Sequence, residues 1–377
     1  MTSLATVAWD EYRAEPQADG RRAAGLVRRD ELLATLDRAA TRKVTIISAP
    51  PGSGKTSLLR MWAERSADDL RVAFVSVARG QQDAQQFWLA VLDAIRATAL
   101  LPDSRTRTAA PEPDRDAIVD AVISELAEQA ETFVLIIDDL HELGSAEALE
   151  ELGRVLAELP SSARVVLSAR RDPRIHLHQL RLAGEVAEIR AADLQFSEGE
   201  TLELLRGSGI TLSAELAATL HRRTEGWAAG LRLAAISLAG HPDPERFVAE
   251  FSGTDRAIGE YLIAEMLERQ PEGVRNLLLR TSLVDRVNGE LADLLTGERG
   301  AERLLLELED ANAFVVSLDP QRTWFRYHQL MADFLRLELR RTLADQVPDL
   351  HRRAARWFID HGDAVEAVRH TVAAGAR

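Results

Sequence analysis

Eight consecutive residues, Ala49-Pro50-Pro51-Gly52-Ser53-Gly54-Lys55-Thr56, constrain this chain more than any others. They close a short apolar run from Val44 to Ile47 and open a helical one from Ser57 to Ala63. A strand that feeds a glycine-rich turn at a helix N-terminus is a phosphate cradle, because successive backbone N–H groups are aimed at the phosphates. In such a cradle Lys55 bridges the terminal phosphates, and the hydroxyl of Thr56 is placed to ligate Mg²⁺. The candidate nucleotide-binding residues are therefore Pro51, Gly52, Ser53, Gly54, Lys55, Thr56 and Ser57. Lysine usage sharpens the point. Of 46 basic residues only Lys43 and Lys55 are lysine, so a chain that otherwise uses arginine puts a slim point charge where it must thread under a phosphate. Ala49 stands where the general pattern has its first glycine, which leaves Gly52 and Gly54 to make the tight turn.

A phosphate loop requires a carboxylate partner, and Phe133-Val134-Leu135-Ile136-Ile137-Asp138-Asp139 supplies a buried strand ending in two. Asp138 is assigned to the magnesium shell and Asp139 to orienting or activating the attacking water. Arg170 follows the next apolar run, Val165 to Ser168, at the carboxyl edge where ligands of open α/β sheets bind. A cation there can sense a γ-phosphate; Arg171 beside it is the alternative for the same role. His176 and His178 are spaced to share one side of a strand but have too few partners for a metal site. His328, in Phe325-Arg326-Tyr327-His328-Gln329-Leu330, reads as a partly buried histidine at a helix start. Thr224-Glu225-Gly226-Trp227, ahead of the small residues Ala228, Ala229 and Gly230, reads as a tight turn that lets helices approach, with Trp227 as a packing anchor in preference to a base-stacking residue.

Further apolar runs at Val72 to Val77 and Val186 to Ile189 alternate with helical stretches at Ala84 to Arg96, Ala117 to Glu128 and Ala146 to Leu159. Runs this continuously apolar predict parallel strands covered on both faces, hence an α/β layered domain. After Ala191 the strand pattern stops. Ser197 with Glu200 forms a capping box, and helical patterns follow at Ala214 to Arg222, Ala228 to Leu238, Asp255 to Leu267, Gly273 to Ser282 and Ala301 to Asp310. A strand pair, Phe314 to Leu318 and Thr323 to Tyr327, then precedes a helix from Leu330 to Arg340, which suggests a winged helix. The expected organisation is a flexible arm at 1–24, an α/β P-loop NTPase domain with a parallel sheet at 25–191, an all-α helical domain at 192–254 and a winged-helix domain at 255–344. Residues 345–377 are expected to be the first helical hairpin of a repeat array that continues beyond this sequence, since one hairpin cannot bury its apolar face alone. Leu101 to Asp116, with three prolines, is expected to be a surface loop.

A formal charge of −14 argues against a broad nucleic-acid surface on these residues. The absence of cysteine excludes disulfides and thiolate metal sites. No apolar run reaches the roughly 18 to 20 residues that span a bilayer, and the N-terminus lacks a signal pattern, so a cytoplasmic protein with no membrane partner is expected.

Together, Leu26-Val27-Arg28, the phosphate loop, Ile136-Ile137-Asp138-Asp139-Leu140-His141, Ser168-Ala169-Arg170-Arg171-Asp172-Pro173, Asp193-Leu194-Gln195-Phe196, Thr224-Glu225-Gly226-Trp227-Ala228-Ala229-Gly230-Leu231 and Phe325-Arg326-Tyr327-His328 resemble the large ATP-dependent LuxR-type transcription regulators. These are maltose-activator-like members of the STAND signalling ATPases. The resemblance implies a switch that buries ADP in a closed resting state, exchanges it for ATP, self-associates and resets by slow hydrolysis. By the same resemblance Arg170 is the strand-end sensor, His328 contacts the ADP phosphates, and Val27 with Arg28 lies where adenine is held. An inducer sensed by a downstream repeat domain and DNA bound by a C-terminal helix-turn-helix are implied for parts beyond these residues. The alternative reading is a ring-forming AAA-like remodelling ATPase, in which steady hydrolysis drives work.

Overall fold

A computed structural model describes residues 27–375, apart from 67–69, 99–114 and the single positions 130, 176, 240 and 269. The expected arm at 1–24, most of the Leu101 to Asp116 stretch, and His176 lie outside the described residues. The chain divides into two compact units, the first built from residues 28–49 and 53–194 and the second from residues 27, 50–52 and 195 onward.

The first unit is a parallel sheet with helices on both faces. In chain order it runs α1 (Asp30–Ala39), β1 (Val44–Ser48), α2 (Lys55–Ser66), β2 (Arg71–Ser76), α3 (Ala84–Thr98), α4 (Arg115–Ala127), β3 (Phe133–Asp138), α5 (Ala146–Ala157), β4 (Ala163–Ala169), α6 (His178–Leu182), β5 (Val186–Arg190) and α7 (Ala191–Leu194). The five strands are ordered β2-β3-β4-β1-β5, all parallel. Strands β1 and β3 are buried at every residue, as their unbroken apolar sequences require. Alternate side chains feed two cores: Ile46, Leu135, Ile137 and Val165 pack with α3, α4 and α5, while Ile47, Val134, Ile136 and Val166 pack with α1 and α2. His178 opens the short helix α6, so it does not lie on a strand.

The second unit is mainly helical: α8 (Glu198–Gly207), α9 (Ala214–Thr224), α10 (Ala228–Leu238), α11 (Pro244–Glu250), α12 (Arg256–Leu262), α13 (Glu272–Thr281), α14 (Gly289–Thr296) and α15 (Ala301–Asp310). The antiparallel hairpin β6 (Val315–Ser317) and β7 (Phe325–Tyr327) follows, then α16 (Gln329–Thr342), α17 (Val347–Asp360) and α18 (Ala364–Gly375). The capping box at Ser197 and Glu200 forms, satisfying two first-turn donors of α8. The stretch read as one helix from Asp255 to Leu267 changes pitch: α12 gives way to a π turn at Ile263–Leu267. Gly226 holds φ at +67°, and a side chain there would come within 2.5 Å of Phe196 O, so the turn between α9 and α10 accepts only glycine. In the terminal hairpin His370 is fully buried, stacks on Phe358 and meets His351, Nδ1 to Nδ1, at 2.8 Å.

Candidate nucleotide site

The phosphate loop leaves the end of β1 and enters α2. Gly52 and Gly54 hold φ at +71° and +87°, the left-handed region that other residues enter at a cost. Lys55 is only 7% exposed, and its Nζ donates to Ala49 O at 2.8 Å, so the ammonium folds back on the loop's own backbone. Burial pushes its pKa from 10.5 down to about 8; Asp139 and Asp138 pull it up and Arg170 pushes it further down. These four groups therefore share one electrostatic neighbourhood. The sheet order explains why. Because β4 lies between β1 and β3, the loop, Arg170 and the Asp138-Asp139 pair issue from three adjacent strands at one edge. Ala49 N, donating to Ala169 O at 3.3 Å, ties the start of the loop to the residue before Arg170. In the loop, Ser53 is buried, Thr56 half-buried and Ser57 exposed.

Asp138 is fully buried; its Oδ1 accepts from Asp139 N at 3.0 Å, and its Oδ2 has no hydrogen-bond partner among the described residues. A buried carboxylate oxygen left unbonded is costly, and a divalent cation would satisfy it. The unbonded oxygen of Asp138 thus fits Mg²⁺. Asp139 sits at φ 56°, ψ 35°, a conformation few non-glycine residues adopt. Burial raises its carboxyl above the ordinary range and the charge of Asp138 adds to the rise, against Lys55 and Arg170.

His141 was not singled out from the sequence as a site residue, although it closes the Asp138-Asp139-Leu140-His141 run. Its Nδ1 lies 3.9 Å from Asp139 Oδ1 and its Nε2 3.5 Å from Glu142 Oε1. Burial, then Arg170 and Lys55, hold its pKa near 3, so the ring is neutral at physiological pH. Arg28 is exposed and pairs with Asp30 at 3.3 Å, whereas its neighbour Arg29 is buried and donates from Nη1 to Leu194 O at 2.7 Å. Val27 belongs to the core of the second unit, in the cluster that includes Leu204 and Leu231.

Within the second unit His328 stands at the N-cap of α16, 8% exposed, with Nε2 3.0 Å from Thr224 O. A carbonyl only accepts, so Nε2 carries the proton. Burial lowers the pKa of the ring and keeps it neutral, which leaves Nδ1 a bare acceptor with no partner among the described residues. Beside it Arg326 grips Glu225 through two hydrogen bonds of 2.9 and 2.8 Å, and Gln329 N donates to Glu225 Oε1 at 2.8 Å. Burial alone would raise the Glu225 carboxyl; these bonds outweigh it and hold it below the ordinary range. Trp227 packs edge-on against Tyr261 and Phe314, as a packing anchor should, and its Nε1 donates to Pro51 O at 3.1 Å.

Two families match this chain: residues 38–174 match an AAA domain and residues 263–347 the MalT winged helix domain. It is similar to MalT-like P-loop proteins. The serine/threonine-protein kinase PknK of Mycobacterium tuberculosis is 32% identical over 355 residues, covering 93% of this chain and 32% of PknK. The HTH-type transcriptional regulator MalT of Klebsiella pneumoniae is 28% identical over 354 residues, covering 92% of this chain and 39% of that protein. The chain thus spans about a third of the length of the curated relatives it matches. Among solved structures, the Walker-type ATPase PABY2304 of Pyrococcus abyssi aligns with 84% of this chain and 97% of its own at a TM-score of 0.62 and 14% identity, a likeness of fold. The AAA-domain match supports nucleotide hydrolysis as the general chemistry of residues 38–174. No helix among the described residues is long and apolar enough to cross a membrane.

Proposed function

We propose that this chain is the nucleotide-operated switch of a signal-responsive transcription activator, holding ADP in a closed resting state and self-associating with ATP. The observation that carries the reading is the convergence of Lys55, Asp138, Asp139 and Arg170 around a phosphate loop, with one buried oxygen of Asp138 lacking a hydrogen-bond partner among the described residues. Lys55 exchanges its bond to Ala49 O for the terminal phosphates, and the loop amides from Gly52 to Ser57 take the remaining oxygens. Thr56 and Asp138 hold Mg²⁺, which neutralises phosphate charge when bound. Asp139, its carboxyl made more basic by burial and by Asp138, orients the attacking water and draws its proton; Arg170 meets the γ-phosphate. Val27 and Arg28 flank adenine.

His328 enters as the group that favours the ADP state. Its free nitrogen, Nδ1, is an acceptor in the neutral ring, so a bond to a phosphate requires the imidazole to take up a proton there. Hydrolysis resets the switch and is slow, because a switch needs only ligands that bind its two states unequally. The inducer is sensed, and the promoter bound through a helix-turn-helix, in parts of a longer protein outside these residues. The test is the nucleotide carried by the chain as purified. Trapped ADP with slow turnover is expected; an empty site with brisk steady turnover would overturn the switch.

A further inference from the structure

The second unit includes three residues of the phosphate loop, Pro50 to Gly52, and two hydrogen bonds hold them there. Trp227 Nε1 donates to Pro51 O at 3.1 Å and Ala229 N donates to Gly52 O at 2.9 Å. We propose that Trp227 and the first turn of α10 are positioning groups for the phosphate loop, fixing the peptide planes whose N–H groups present themselves to an anionic phosphate. The proposal rests on the nucleotide reading of the loop and adds to it the source of the loop's preorganisation.

The argument is one of peptide geometry. A trans peptide is planar, with its C=O and N–H on opposite edges. Tying down the carbonyls of Pro51 and Gly52 therefore aims the N–H groups of Gly52 and Ser53 the other way, and these are consecutive amides of the glycine-rich turn. A cradle whose amides are already set does not have to order them when the anion arrives. Three features mark the clamp as built. Trp227 is the N-cap of α10 but makes no side-chain cap to its own helix; its indole is spent on the loop. The ring is 5% exposed and held edge-on by Tyr261 at 5.5 Å and Phe314 at 5.1 Å. Ala229 N is a first-turn donor that the helix itself leaves without a partner, so Gly52 O serves as the cap of α10 while α10 fixes Gly52. A side chain at position 52 would lie 2.5 Å from Ala229 Cβ and 2.7 Å from Tyr261 Oη, which makes the approach possible for glycine alone.

The experiment uses the whole chain. Trp227→Phe removes the indole N–H and keeps an aromatic ring, and ADP and ATP are titrated into it by calorimetry. Both affinities should fall by about three- to tenfold, the effect of one neutral hydrogen bond. Amide exchange of residues 49–57 should rise in the nucleotide-free variant while residues 133–141 stay as in wild type. A merely structural role would lower the melting temperature and leave the affinity of the folded chain and the loop's exchange unchanged, which overturns the proposal. Lys55→Ala separates the two levels. If it binds ADP like wild type, the nucleotide reading itself fails; if it loses binding while Trp227→Phe keeps wild-type affinity, only the clamp falls. Should Trp227→Phe not fold, the wild-type chain decides: without nucleotide, the Ala229 amide should exchange more slowly than a first-turn amide open to solvent, and exchange at the solvent rate overturns the clamp.

Discussion

Burial of Lys55 makes nucleotide affinity depend on pH in a range where phosphate ligands themselves change little. The nucleotide-free ammonium titrates near 8, and a phosphate binds only the charged form. The apparent dissociation constant then scales as one plus ten to the power of pH minus 8, so moving from pH 7 to pH 9 should weaken ADP by about tenfold. At pH 8 binding should take up about half a proton, read by calorimetry in buffers of different ionisation enthalpy. Lys55→Arg, whose guanidinium does not titrate, should bind more weakly and show no slope. Affinity that stays flat from pH 7 to 9 in wild type, with no proton uptake, would refute the reasoning. The same burial predicts a stability effect. The unfolded lysine titrates at 10.5 and the folded one near 8, so below pH 8 the folded chain bears the whole cost of the buried charge, about 3 kcal/mol at ~1.4 kcal/mol per unit, and the cost fades as pH rises to 10.5. Lys55→Met should therefore melt higher than wild type at pH 7 without nucleotide, while binding none.

Three further outcomes are expected. Asp138→Ala should weaken Mg²⁺-dependent ATP binding, whereas Asp139→Ala should retain binding and lose hydrolysis; equal loss of binding in both, measured by titration and phosphate release, would undo the division of roles. His328→Ala should speed release of a fluorescent ADP analogue by roughly tenfold to a hundredfold, the worth of a hydrogen bond to a charged group, and should abolish any gain in ADP affinity on lowering the pH from 7 to 6; unchanged release would return His328 to the core. In the terminal hairpin burial, then His351, holds His370 near 4, so between 6.5 and about 4 the unfolded chain binds more protons and stability falls as pH is lowered; melting curves at pH 7 and 5 should show that loss, and His370→Phe should reduce it.

The phosphate loop and the strands were legible because each is a local pattern: an apolar run, a turn residue, a cap. Ala228 to Leu238 and Ala301 to Asp310 coincide with α10 and α15, both of which begin on alanine. Helices α11 and α14 escaped notice because Asp243-Pro244 and Asn288-Gly289 look like turns, though each opens a helix whose cap accepts a backbone N–H. Helix α1 was missed despite a readable spacing of Leu32, Leu33, Leu36 and Ala39. What sequence could not yield is long-range. Nothing local says that β4 separates β1 from β3, that Arg29 and not Arg28 is the buried one, or that Trp227 reaches a carbonyl 176 residues away.

The scarcity of lysine gives the molecule a chemical label of its own. Acylating reagents that seek amines meet only two side chains in 377 residues. Lys43 pairs with Glu185 at 3.2 Å, while Lys55, near 8, is in good part the nucleophilic free base under mildly alkaline conditions. A bound phosphate would both restore the ammonium and cover it. Acylation at Lys55, slowed by burial in every chain, should therefore fall further in the chains that hold nucleotide, with the Lys43 peptide as internal reference.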